Sequence, residues 1–279
     1  MSKVSASSPE LGEGLQYHIR CKPGDVAPYV LLPGDPDRVP LISSFWDDKR
    51  EIARHREYVT HTGVYKGAPI SSTSTGIGGP AASIALEELL RVGANTFIRV
   101  GTTGALRREI RVGDLIIATG AVRLDGASEE YVRIEYPALA HYEVVLALVE
   151  AAEQLGFRYH VGIVASTDTF YTGQARPGFK GYMPSWSKEI MSDLQEAGVL
   201  SFEMEAASIF TLASIYGARA GAVLAVLANR VTDEFGLEAG VKEAVQVANE
   251  AVKILYEWDS RKAAKNKRNI YPSLLFGKT

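Results

Sequence analysis

The chain has 279 residues, 46% of them hydrophobic and 23% charged, a balance that suits a folded protein with a large core and excludes a disordered or fibrous one. A formal net charge of -3 argues against nucleic acid as the main partner, and the longest small or apolar run, Ala220 to Ala228, is far short of the ~20 residues that span a bilayer. A single cysteine, Cys21, excludes an internal disulfide framework; with a small, polar N-terminus lacking the apolar stretch of a secretory signal, the expected compartment is the cytoplasm.

Taken in chain order, YVLLPG (29–34) reads as a first strand, and the turn PGDPDR after it sets Gly34 and Arg38 at its carboxyl end. PISSTSTG (69–76) reads as a second strand running into the glycine loop TGIGGP, with a helix from Pro80 to Arg91 behind it. TFIRVG (96–101) is a third, followed by Thr102, Thr103 and Gly104, and DLIIATGAV (114–122) a fourth. A helix from His141 to Leu155, a strand VGIVAST (161–167), helices from Lys188 to Ala197 and Glu205 to Tyr216, a strand AGAVLAVLANRV (220–231) and a helix from Glu238 to Trp258 complete the series. No linker, repeat or low-complexity block interrupts it, so one domain is expected. Such alternation predicts a largely parallel sheet covered by helices, with ligands gathering beyond the carboxyl ends of the strands.

The loops at those ends carry no Walker lysine and no G-x-G-x-x-G spacing, which leaves nucleoside triphosphates and dinucleotides poorly served. Arg99 is the first residue that asks for chemistry. A guanidinium inside a covered strand needs an anion, either a structural carboxylate or an oxyanion ligand held together with the hydroxyls and amides of Gly101–Gly104. Arg38 and Arg56 are further candidates for such an anion. Glu203 and Glu205 in SFEMEAASIF raise the converse question. They fit either the solvated first turn of a helix or a site on which something polar docks.

The segments PGDPDRV, HREY, STGIGGPAASIALEELLRVGANTFIRVGTTGAL, VGDLIIATGAVRLDGAS, STDTFYTGQAR and FEMEAAS together resemble the nucleoside phosphorylase family, in its uridine-cleaving branch. The likeness runs from about Tyr17 to Trp258, which leaves 1–16 as a polar extension, 17–258 as the phosphorylase domain and 259–279 as a basic tail. It implies an α/β fold around a distorted, barrel-like mixed sheet surrounded by helices, and an oligomer built from dimers that share active sites, a hexamer being the expected form. The implied reaction is the reversible cleavage of uridine by inorganic phosphate, a co-substrate, into uracil and ribose 1-phosphate.

Carried over residue by residue, the resemblance places phosphate on Gly34, Arg38, Arg99 and Thr102 of one subunit and on Arg56 of its neighbour. Ribose falls to Thr103, Met204 and Glu205 with the neighbour's His18, and uracil to Phe170, Gln174 and Arg176. Glu203 and Arg230 are expected to stand behind the ligand. A carboxylate such as Glu205 can accept both protons of a 2′,3′-diol, and a thioether such as Met204 suits the floor beneath a sugar. Catalysis is expected from Arg38, Arg56, Arg99, Thr102, Gln174, Arg176 and Glu205, with no cofactor and no metal. Glu57 stands where some relatives hold a monovalent cation, but Ala81 lacks the hydroxyl that would complete such a site. Asn229-Arg230 replaces the Ser-Asp pair of purine-using relatives, which favours uracil; a purine or broad-specificity phosphorylase is the alternative, with a hydrolase or a noncatalytic nucleoside binder behind it.

Overall fold

Strands such as Leu115–Leu124 and Arg219–Asn229 carry small and β-branched residues on both faces, so water suits neither face and each must be covered twice. In the computed structural model, which describes residues 5–276, they form the centre of one mixed sheet. In chain order the elements are β1 (Tyr29–Leu32), α1 (Arg38–Ser43), β2 (Asp48–His55), β3 (Tyr58–Tyr65), β4 (Ala68–Thr73), α2 (Gly79–Arg91), β5 (Thr96–Ala105) and β6 (Leu115–Leu124). There follow α3 (Gly126–Tyr131), β7 (Ala138–Leu139), α4 (Tyr142–Leu155), β8 (Tyr159–Thr167), α5 (Ser185–Glu196), β9 (Ser201–Glu203) and α6 (Ala206–Ile215). The chain ends through β10 (Arg219–Asn229), β11 (Glu234–Phe235), α7 (Val241–Ala264) and α8 (Pro272–Phe276).

Five strands close on themselves. β5 runs parallel to β10, β10 antiparallel to β6, β6 parallel to β8, β8 parallel to β9, and β9 antiparallel to β5. The result is a distorted mixed barrel with β1, β4, β3 and β2 added beside β5. The largely parallel sheet expected from alternation is therefore mixed. One reason is the β2–β3 hairpin, which the sequence reading did not mark: its outer strand DKREIARH is charged and mostly exposed, as an edge strand that must resist further pairing should be.

Alternate residues of the central strands enter two cores. Ile98, Val100, Leu115, Ile117, Val223 and Ala225 pack with α4 and α7 on one face, while Phe97, Ile116, Ala118, Ala222 and Leu224 pack with α2 and α6 on the other. The chain after Trp258 joins the first of these cores. α7 continues unbroken to Ala264, Asp259 pairs with Arg219 at 2.6 Å, Lys262 bonds Glu143 at 2.7 Å, and Ile270 and Leu274 are buried. The basic run RKAAKNKR is exposed except at Lys262, and the chain is held on either side of it by charge pairing and by apolar side chains. No helix among the described residues is long and apolar enough to cross a membrane.

The functional geometry begins where β5 changes partners. Its first half lies against β1, with Leu32 opposite Arg99, and its end lies against β9, with Gly104 opposite Phe202. Between those points residues 100–103 have β10 on one side and no strand on the other. A gap of this kind at the carboxyl ends of strands exposes backbone and side chains together.

Candidate active site

A cleft of about 530 Å³ opens at that gap. β5 supplies Arg99 and Gly101 to Gly104, the turns after β1 and β4 supply Gly34, Arg38, Gly76 and Ile77, and the loop after β8 supplies Phe170, Gln174 and Arg176. Glu203, Met204 and Glu205 enter from the junction of β9 with α6. Eleven residues carried over from the family therefore lie in one place.

The two glutamates are explained by where the helix starts. Glu203 ends a strand and Glu205 sits at the N-cap of α6, so neither belongs to a solvated helical turn. Glu203 is buried and its Oε2 accepts from Arg99 Nε at 2.8 Å and from the backbone N–H groups of Glu205 and Ala206, each at 2.9 Å. Its other oxygen accepts from the Ser166 hydroxyl, which in turn accepts from the Ala207 N–H at 2.8 Å. These bonds satisfy the orphan donors at the start of α6 and hold Arg99 at a fixed angle.

Glu205 faces the same guanidinium, with its Oε2 2.5 Å from Arg99 Nη2, while its Oε1 accepts from the Gly78 N–H. Burial pushes its carboxyl above the ordinary value and Glu203 adds to the rise, against the pull of Arg99. Arg99 thus has structural carboxylate partners, and its Nη1 makes no hydrogen bond to the described residues. Gly101 is obligatory beneath it. A Cβ there would lie 2.8 Å from the guanidinium carbon and 2.8 Å from the Leu224 side chain.

Arg38 is the cation without a carboxylate. It opens α1, donates to the Val100 carbonyl at 3.2 Å, and forms no ion pair among the described residues. Burial pushes its guanidinium down, Asp35 opposes this, and the charge of Arg99 adds to it. The Thr102 hydroxyl lies in the same part of the cleft, half-buried, whereas Thr103 donates to the Phe202 carbonyl at 2.6 Å and offers a ligand only its oxygen lone pair. Two adjacent guanidinium groups, a hydroxyl and the close-packed turns at Gly34 and Gly76 make a receptor for a small oxyanion.

Another part of the cleft wall is built around an amide. Gln174 is buried; its Oε1 accepts from Arg176 Nη1 at 2.6 Å and its Nε2 donates to Thr167 Oγ1 at 3.0 Å. The Arg176 guanidinium lies 3.9 Å from the centroid of the Phe170 ring, and burial with the nearby charge of Arg230 brings it down to about 10. Arg230 makes no appearance in the cleft wall. Its Nη1 donates to the Gln174 carbonyl at 2.8 Å and its Nη2 to the Ala175 carbonyl at 3.3 Å, bracing the loop that presents the amide. Asn229 beside it is consumed internally, donating to the Arg107 and Ile110 carbonyls and accepting from the Val231 and Thr232 N–H groups.

His18, Arg56 and Glu57 do not line this cleft. His18 and Arg56 lie together elsewhere on the surface: His18 Nδ1 is 2.7 Å from Glu88, and Arg56 projects from the tip of the β2–β3 hairpin, 6.0 Å from the centroid of the Tyr17 ring. Glu57 approaches the back of Gly76, close to Ala81. Among the described residues no group of three His, Cys, Asp or Glu side chains is placed to hold a metal. Ser166, Thr167, Ile77 and Phe235 belong to the cleft or its supports and were not singled out from sequence. The first two sit in the quoted strand VGIVAST, whose pair of hydroxyls at a strand end was the available signal.

The profile of the phosphorylase superfamily matches residues 28–257. The chain belongs to this superfamily. Among curated superfamily members, it is 65% identical over 271 residues to a uridine phosphorylase of Thermococcus kodakarensis, covering 97% of this chain and 98% of that protein. A uridine phosphorylase of Escherichia coli is 43% identical over 244 residues, covering 86% and 95%. A guanosine phosphorylase of Halorubrum lacusprofundi is 42% identical over 216 residues, covering 77% and 84%. The superfamily's fold, a closed mixed barrel wrapped by helices, is the one described above.

Proposed function

We propose that this protein catalyses the phosphorolysis of uridine to uracil and ribose 1-phosphate. The observation that carries the reading is the set of groups gathered in one cleft: an oxyanion receptor at Arg38, Arg99 and Thr102, a diol acceptor at Glu205 next to Met204 in the chain, and an amide with a guanidinium at Gln174 and Arg176. Full-length likeness to uridine phosphorylases supports it.

In the reaction, a phosphate oxygen attacks C1′ while the bond from C1′ to N1 breaks. The sugar becomes oxocarbenium-like and the electron pair of the broken bond moves onto the base. Arg38, Arg99 and Thr102 hold the nucleophile beneath C1′, where its charge favours the cationic sugar. Glu205 accepts the 2′- and 3′-hydroxyl protons, Gln174 meets the imide edge, and Arg176 donates to a carbonyl that gains negative charge. No side chain forms a covalent bond to the sugar. Arg56 and His18 complete the phosphate and ribose sites of a neighbouring subunit, which accounts for their grouping away from their own cleft. The purine alternative is weakened by Asn229, whose amide has no proton to spare for a purine ring nitrogen.

Uracil release measured with and without inorganic phosphate, on protein stripped of phosphate, tests the reaction. Release only with phosphate is expected. Phosphate-independent release would establish a hydrolase, and no release in either condition a binding protein.

A second measurement tests the diol. Glu205→Gln keeps an acceptor for the Gly78 N–H but loses the charge, so turnover of uridine is expected to fall by about tenfold or more, the scale of one lost charge-assisted bond. Turnover of 2′-deoxyuridine, which lacks one of the two hydroxyls, is expected to fall less. Equal losses on both substrates would assign Glu205 to general architecture.

A further inference from the structure

The geometry points to Thr167 as a positioning residue for base recognition, one that locks the Gln174 amide in the orientation able to meet an imide edge; this rests on the uridine reading above. A glutamine amide has two faces of opposite character, and rotation by 180° exchanges them. Arg176 can only donate, so the 2.6 Å contact from its Nη1 fixes Oε1 on that side. The other side is held by Thr167. Its hydroxyl donates to the Thr169 carbonyl at 3.3 Å, which leaves the oxygen to accept from Gln174 Nε2 at 3.0 Å.

Once both ends are engaged, the amide has one N–H and one lone pair left for a ligand. Arg176 also spends its second Nη1 proton on the Phe170 carbonyl at 2.8 Å, which leaves Nη2 and Nε for a base carbonyl. An N–H flanked by carbonyls, as in uracil, matches this pattern. Cytosine mismatches it twice, because its ring N3 lone pair would face Oε1 and its amino group would face the donors of Arg176.

Thr167 is well placed to set this position. It is the last residue of β8, opposite Leu124 of β6, so its backbone belongs to the barrel, whereas Gln174 lies in the loop that follows. Both side chains are buried, at 2% and 3% exposure, so water cannot replace the acceptor if it is removed.

Thr167→Val preserves shape and removes the acceptor. The kcat/KM for uridine is expected to fall about tenfold, the cost of an orphaned buried N–H, while KM for phosphate is unchanged and the preference for uridine over cytidine narrows. Thr167→Ser is expected to restore the wild-type values. In a Gln174→Ala background Thr167→Val should have no further effect, because the two residues act as one unit. A wild-type kcat/KM in Thr167→Val, a shifted KM for phosphate, or the same loss in the presence and absence of Gln174 would overturn the assignment while leaving uridine phosphorolysis intact. Failure of the wild-type protein itself to release uracil with phosphate would overturn the uridine reading and this assignment with it.

Discussion

Arg99→Ala is expected to lose activity and stability together, whereas Arg38→Ala loses activity alone. Arg99 is 4% exposed and is the cation between two buried carboxylates, Glu203 and Glu205. Removing it strands both charges, and breaking a buried pair by deleting one partner costs about 3–5 kcal/mol. Arg38 has no carboxylate partner among the described residues, so its removal leaves only the Val100 carbonyl to find another donor. Loss of one preorganised cation from the phosphate site should still lower kcat/KM by about a hundredfold or more. Denaturant midpoints and phosphorolysis rates of the two variants separate the effects. An Arg99→Ala protein as stable as wild type would show that Glu203 and Glu205 share a proton and do not depend on the guanidinium.

Mixing Arg38→Ala with Arg56→Ala chains is expected to regenerate activity that neither variant has alone. On the proposed shared site, one chain provides Arg38 and its neighbour Arg56. A mixed dimer then has one site lacking both arginines and one site with both. Random reassociation of equal amounts makes about half the dimers mixed, so about a quarter of all sites recover the wild-type set under two-fold symmetry. Arg38 is the better partner for this experiment than Arg99, since its variant is expected to fold normally. Activity no higher than the mean of the parents, with mixing verified by tagged subunits, would place Arg56 in its own chain's site or in none, and the role of His18 beside it would go with it.

Much of this protein follows from the sequence alone. The buried strands and amphipathic helices were legible because burial imposes a period on apolar residues; Gly34, Arg38, Arg99 and Thr102 were legible because they lie in short motifs at strand ends, and Gln174 only through the family resemblance of STDTFYTGQAR. The β2–β3 hairpin escaped that reading because an exposed, charged edge strand has no apolar face to give it a period. What only the tertiary structure decided is how groups distant in the chain divide their bonds. Sequence left Arg99 between a structural carboxylate and a ligand; the fold gives it Glu203 and Glu205, more than a hundred residues later, because β9 closes the barrel against the end of β5. The same closure makes Glu203 extended and Glu205 a helix cap, turning two acids one residue apart into a support and a candidate ligand. Hydrogen bonds are directional and each donor is spent once, so the division among Ser166, Thr167, Gln174 and Arg176 is set by three-dimensional position, which no local spacing encodes.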